Sequence, residues 1–321
     1  MTRAVLVATA ALCVAGCAVP PDRLPTLPDG YAWHAEPSRS LALQFAGQDV
    51  WRLHFGTDRT KPCFHPLALP GGPALTVDAP ADHRWHHGLW FSWKYLDGVN
   101  HWEHAAGSRQ PAGQTTTQLD RLTLHGDGSA EVALQLATGQ AGQPPTLREQ
   151  RHLRVLAPAA DGSYAIDWQS TFTATTACTL DRTPLPHEPG GKAFGGYAGL
   201  SLRLRQLEAR DALTTAGAVA WNDADRFRGD ADAFEYRGAL AGQDVAIAIL
   251  AHPQNLRSPS PWYAIRSAAM TFVTPAVLCH GKLELAAGAT FTLRYRIVVH
   301  PGRWSPDQLA AAHAAYVLAN P

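Results

Sequence analysis

Strict alternation of apolar and polar side chains constrains this chain more than any other feature. In Thr290-Phe291-Thr292-Leu293-Arg294-Tyr295-Arg296-Ile297 every second residue is apolar. A strand turns successive side chains to opposite faces, so this run gives one face to a core and the other to water or a cleft. A helix would scatter the same residues around its axis. Tyr164, Ile166, Trp168 and Phe172 alternate in the same way with Asp167, Gln169, Thr171 and Thr173. So do Leu200, Leu202 and Leu204 with Ser201, Arg203 and Arg205, and shorter versions occur at Val132-Leu134-Leu136 and Leu122-Leu124. Turn clusters such as Gly126-Asp127-Gly128 and Ala160-Asp161-Gly162 separate the runs. With no strand–helix–strand alternation and no internal repeat, the expectation is all-β: a large two-sheet antiparallel β-sandwich.

One helix is expected, at the C-terminus. Ser305 suits the N-cap, Pro306 the first helical position, and Gln308 completes a capping-box spacing ahead of Leu309-Ala310-Ala311-Ala312.

The N-terminus carries a different signal. Arg3 is followed by a short apolar run from Ala4 to Ala15, and Val14-Ala15-Gly16-Cys17 has the form of a bacterial lipobox. The run is too short to span a bilayer. Residues 1–16 therefore read as a cleaved signal, Cys17 as the lipidated N-terminus, 17–37 as a proline-rich tether and 38–321 as a single domain. This places the protein outside the cytoplasm. Ala18, in place of an aspartate, points to the outer membrane, facing the periplasm, with the lipid as the only membrane contact.

The 27 basic and 27 acidic side chains balance, and no basic run stands out, which argues against nucleic acid as a partner. Of the five cysteines, Cys63, Cys178 and Cys279 remain after Cys13 and Cys17 are assigned to the signal and lipid; widely spaced, they read as small buried thiols. Oligomeric state is left open.

Between Asp82 and His104 stand five histidines (His83, His86, His87, His101, His104) and four tryptophans (Trp85, Trp90, Trp93, Trp102). Sugar sites combine these types, because an indole stacks on the C–H face of a pyranose while His, Asp and Asn bond its hydroxyls. The bland alternative is a packed aromatic corner with hydrogen-bonded core histidines. A second constellation, His252 to Tyr263, follows the apolar run Val245 to Leu250 and includes Asn255, Arg257 and Trp262; its alternative is a rigid loop whose Arg257 satisfies carbonyls. The third is the glycine-rich stretch His187 to Tyr197, with Glu188 and Lys192, or equally a flexible surface loop.

Taken together, His86-His87-Gly88-Leu89-Trp90, His252-Pro253-x-Asn255-x-Arg257 with Trp262 after it, and Tyr295-Arg296-Ile297-Val298-Val299-His300-Pro301-Gly302 resemble the PmoA-like family from about Ala35 to Arg303. That family has a basic residue where this chain has Gly88, and an adjacent Lys-Glu pair where this chain separates Glu188 and Lys192. The chain lacks the spanning helices that the family name suggests. Gly196-Tyr197-Ala198-Gly199-Leu200 and the early histidine cluster also resemble the galactose-mutarotase-like supersandwich, which implies a concave carbohydrate-binding face.

The expected function is action on a small carbohydrate or glycoside, as an isomerase, lyase or hydrolase. His86, His87, Glu188 and His252 are the expected acid–base residues, since imidazole titrates near working pH. His83, Trp90, Trp102, Lys192, Asn255, Arg257 and Trp262 are the expected binding residues. No cofactor is called for, although a metal is left open. The alternatives are a non-catalytic glycan-binding lipoprotein, with Trp90, Trp93 and Trp102 as platforms, and a metal-dependent oxygenase using His83, His86 or His87 with His65 or His252. Adjacent histidines on a strand point to opposite faces, which weighs against the oxygenase.

Overall fold

A computed structural model describes residues 9–13 and 24–320. Most of the expected signal segment, Cys17 and the first part of the tether lie outside them. Two antiparallel sheets of ten and nine strands face each other, joined by a small four-stranded sheet at one end. The expected all-β sandwich with one C-terminal helix is what the chain forms. No helix among the described residues is long and apolar enough to cross a membrane.

The alternating run sits at the centre of the ten-stranded sheet. Strand Thr290–Pro301 pairs with Tyr164–Ala174 on one side and Gln243–Ala251 on the other, with Trp168 opposite Tyr295 and Ile166 opposite Ile297. Leu293, Tyr295, Ile297 and Val299 are all buried. The nine-stranded sheet turns Phe64, Leu89, Phe91, Leu200, Leu202 and Trp262 to the same core. Aromatic rings meet across the sandwich at Phe64–Trp168, Phe91–Phe172 and Phe234–Trp262, with centroids 6.4, 5.2 and 5.4 Å apart.

Strand Tyr31–Glu36 falls inside the stretch expected to be tether. It forms the edge of the nine-stranded sheet, where Tyr31, Trp33 and Ala35 alternate with exposed Ala32, His34 and Glu36, and Trp33 is buried against Trp51. Thr9–Cys13, within the expected signal, forms an edge of the other sheet, antiparallel to Gln114–His125.

Helix Pro306–Ala319 has the expected capping box between Ser305 and Gln308. Leu309 and Tyr316, seven residues apart and so on one helical face, pack onto Ala248 and Leu250 of the ten-stranded sheet. Cys63, Cys178 and Cys279 are free and buried, as expected.

Candidate functional site

The outer face of the nine-stranded sheet carries a second apolar cluster. Its members are the residues that alternate with the core: Trp90 beside Leu89 and Phe91, Tyr263 and Ile265 around Ala264, Phe272 beside Val273, and Cys63 beside Phe64. Loops 82–87, 101–104 and 182–197 rise over this patch and enclose a cleft of about 190 Å³. His83, Trp85, His86, Trp102, Glu103, Phe194, Tyr197, Tyr263, Ile265, Met270 and Phe272 line it. Residues from the histidine-rich and glycine-rich segments thus converge, together with one residue from the third.

His86 lies at the floor. Its ring stacks on Phe272 at 5.3 Å and on His83 at 4.7 Å, and Trp90 lies 5.0 Å away. Its Nδ1 is buried with no hydrogen-bond partner among the described residues. Burial first, then the charges of His83, Arg203 and Lys61, push its pKa well below the usual imidazole range. His86 is therefore neutral at ordinary pH. His87 turns away, as alternation requires, and its Nδ1 meets Asp78 at 2.8 Å; Asp78 also accepts from Arg59 at 2.7 Å. Gly88 follows with φ of +60°, and a Cβ there would run into the Phe64 carbonyl oxygen. The backbone path leaves no room for the basic residue of the PmoA-like pattern.

Glu103 forms the opposite wall. Its carboxylate accepts from Lys94, from Asn100 at 2.6 Å and from the Tyr197 hydroxyl at 2.7 Å. Burial alone raises the Glu103 pKa, but the Lys94 charge and these hydrogen bonds outweigh it and hold the carboxyl below its usual range. The Tyr197 phenol is pushed up by burial and by Glu103. Between the two walls stands Trp102, 6.3 Å from His86 and 4.9 Å from Tyr197 by ring centroids. Beneath the loops, Lys61 donates to the carbonyls of Trp102 at 2.6 Å and Trp85 at 3.2 Å. It is buried, and burial lowers its pKa to about 7.

The remaining expected residues do not line the cleft, and the polar atoms of His252, Asn255, Arg257, Trp262 and Glu188 are engaged by the protein itself. Nε2 of His252 meets the Asn320 carbonyl at 2.7 Å, and its Nδ1 accepts the Gln254 N–H at 3.2 Å, which ties the loop to the end of the helix. Asn255 exchanges two hydrogen bonds with the backbone of Arg294, at 2.7 and 2.8 Å. Arg257 donates to the carbonyls of Val277, Gly281 and Lys282, the bland alternative weighed for it. Trp262 faces the core and donates to the Ala231 carbonyl, while its neighbour Tyr263 faces the cleft. Glu188 pairs with Arg182 at 2.5 Å and accepts the Leu185 N–H, so its carboxylate closes a turn. Lys192 does not line the cleft; its N–H bonds the Pro184 carbonyl. Trp90 lies under the floor, fully buried.

Glu103, Tyr197, Tyr263, Phe272, Lys94 and Lys61 were not singled out as site residues. Glu103 and Tyr197 meet across 94 positions of sequence. A parity signal did exist for Tyr263 and Phe272, each one register step from a core residue. The five histidines considered for a metal are not gathered at one point: His83 stacks on His86, but His65 bonds Thr76 at 2.9 Å, His87 bonds Asp78 and His252 sits at the helix end. Among the described residues no group of three or more His, Cys, Asp or Glu is placed to hold a metal ion.

The profile of a family of unknown function, DUF6807, matches residues 40–314. The chain belongs to this family. No curated protein sequence matches this DUF6807 chain. Among solved structures, a protein described as an aldose 1-epimerase from Klebsiella pneumoniae subsp. pneumoniae is similar, with 10% identity over 98% of this chain and 95% of that one and a TM-score of 0.43. The α-galactosidase of Lactobacillus brevis is similar over 90% of this chain, with 10% identity and a TM-score of 0.41, and the galactosidase domain of an α-galactosidase-sucrose kinase over 84%, with 9% and 0.40. The DUF6807 chain spans 42% of each of those two chains, and 22% of a kojibiose phosphorylase that it also matches.

Proposed function

We propose that the cleft binds one ring of a small carbohydrate or glycoside and acts on it with His86 and Glu103 as proton acceptors. What carries this reading is the cleft itself, in which a neutral imidazole and an ionised carboxylate flank an indole in an otherwise aromatic cavity. The aromatic walls suit the C–H face of a sugar, and the two acceptors suit its hydroxyls. At about 190 Å³ the cavity is smaller than the roughly 300–1,000 Å³ of drug-sized sites, which suits a single ring.

Both candidate bases lie below neutral in pKa, so neither is a stored acid. Chemistry in this cleft would start with removal of a proton, as in epimerisation or elimination, and not with protonation of a leaving group. A second reading, non-catalytic glycan binding, is favoured by Glu103 being held by three donors, which suits a fixed hydrogen-bond acceptor. The lipobox at Cys17 adds attachment to the outer membrane, facing the periplasm. The PmoA-like resemblance contributes the order of motifs and no substrate.

The test is calorimetric titration and product analysis of the purified protein with a panel of pyranoses and methyl glycosides, repeated on His86→Phe and Glu103→Gln. Binding lost in both variants supports the cleft, and product formation decides between the two readings. Binding that survives in both variants contradicts the site.

A further inference from the structure

We infer that the ligand extends beyond the cavity onto Phe194, so that the class bound is a glycoside whose second unit presents a flat apolar face, and not a free monosaccharide. This rests on the carbohydrate reading of the cleft. Phe194 lines the mouth, yet 45% of its surface is open to solvent. It is the one large aromatic side chain so exposed among the described residues. A single exposed phenyl ring is ordinary on a protein surface; what marks Phe194 is that it continues the aromatic lining of the cleft.

The ring is also presented rigidly, although glycine richness alone would suggest a flexible loop. Arg228 donates to the carbonyls of Ala193 at 2.9 Å and Gly195 at 2.8 Å, on either side of Phe194. The same guanidinium lies 4.4 Å over the ring of Tyr263, another wall of the cleft. Backbone hydrogen bonds Lys192 to Pro184, Gly195 to Lys192 and Gly196 to Thr183 close the loop on itself. Glycine is needed here for close approach: a Cβ on Gly195 would strike the Pro184 carbonyl oxygen, and one on Gly191 the Leu185 carbonyl oxygen. Preorganisation of this kind lowers the ordering cost of a stacking contact. The inner cavity holds one ring, and Phe194 stands where the next unit would leave it. Tyr197, 6.5 Å from Phe194 between ring centroids, connects the two zones.

The experiment compares matched methyl glycosides, phenyl glycosides and disaccharides of glucose, galactose, mannose and xylose by calorimetry, on wild type, Phe194→Ala, Phe194→Trp and His86→Phe. Two-unit ligands should bind roughly three- to tenfold tighter than the methyl glycoside of the same sugar, the increment of one aromatic contact. Phe194→Ala should erase that advantage, weakening the two-unit ligands roughly three- to tenfold more than the methyl glycoside, and Phe194→Trp should keep it. Because Phe194 is exposed, neither variant removes core packing. Methyl glycosides that bind, depend on His86 and gain nothing from a second unit would overturn the Phe194 inference and leave the cleft reading standing. Equal weakening of both ligand classes in Phe194→Ala would also overturn it. Absence of binding by every glycoside would overturn both.

Discussion

The His83–Glu103 region and the His252–Trp262 loop look alike in sequence and differ in what their polar atoms do. Both combine histidine, asparagine, tryptophan and a rigid backbone. In the loop, His252, Asn255, Arg257 and Trp262 spend their donors and acceptors on backbone groups of Asn320, Gln254, Arg294, Val277, Gly281, Lys282 and Ala231. In the cleft, the His86 ring lines the cavity and its buried Nδ1 has no hydrogen-bond partner among the described residues. The loop's polar atoms have no capacity left for a ligand, whereas the cleft side chain is not tied up by the backbone. The partners of the side chains and their place at the cavity separate the two constellations; residue type does not.

The largest difference should appear in stability. Asn255→Ala leaves the Arg294 N–H unpaired, at about 1–3 kcal/mol for a buried group, while the Arg294 carbonyl keeps the His252 N–H at 3.1 Å. A loss of roughly 1–3 kcal/mol is therefore expected in urea unfolding, with glycoside affinity of the folded protein unchanged. A similar loss of affinity would mean that this loop belongs to the site.

The same substitution at the two histidines should then give opposite results. His252→Phe strands the Asn320 carbonyl and the Gln254 N–H, and should lower stability by about 1–3 kcal/mol. His86→Phe preserves the stack on Phe272 and removes an unpaired nitrogen, so the melting temperature should hold or rise while sugar affinity falls roughly tenfold, the worth of about one hydrogen bond. Equal destabilisation by both would erase the contrast.

A further effect comes from pH. Lys61 has a pKa of about 7 in the folded protein against an ordinary 10.5, so the unfolded chain binds its proton more tightly. Stability from this group is present above 10.5 and is lost as pH falls through the window down to about 7. Wild type should thus gain stability between those limits relative to Lys61→Met, whose own baseline is lower because the Trp85 and Trp102 carbonyls lose their donor. Identical pH profiles would show that Lys61 is not held in this state.

Much of the fold was legible because alternation is local. Thr290–Ile297 announces a strand buried on one face, and Ser305-Pro306 with Gln308 announces the helix. Tyr31–Glu36 was hidden by the prolines around it, although its own alternation is regular. The site was legible only in part. The histidine and tryptophan cluster contains His83, His86 and Trp102, which line the cleft, whereas Glu188 and Glu103 could not be told apart by type. The first closes a turn within six residues of its arginine, and the second is completed by a tyrosine from a distant loop. Trp262 and Tyr263 show how fine the distinction is: one step along a strand separates core from cleft.

The most direct measurement is a crystal structure of the protein soaked with the glycoside that binds it best. The account predicts density for one ring against Trp102, with hydroxyls within hydrogen-bond distance of His86 and Glu103. Density confined to the His252–Arg257 loop, or to the outer face of the ten-stranded sheet, would contradict it.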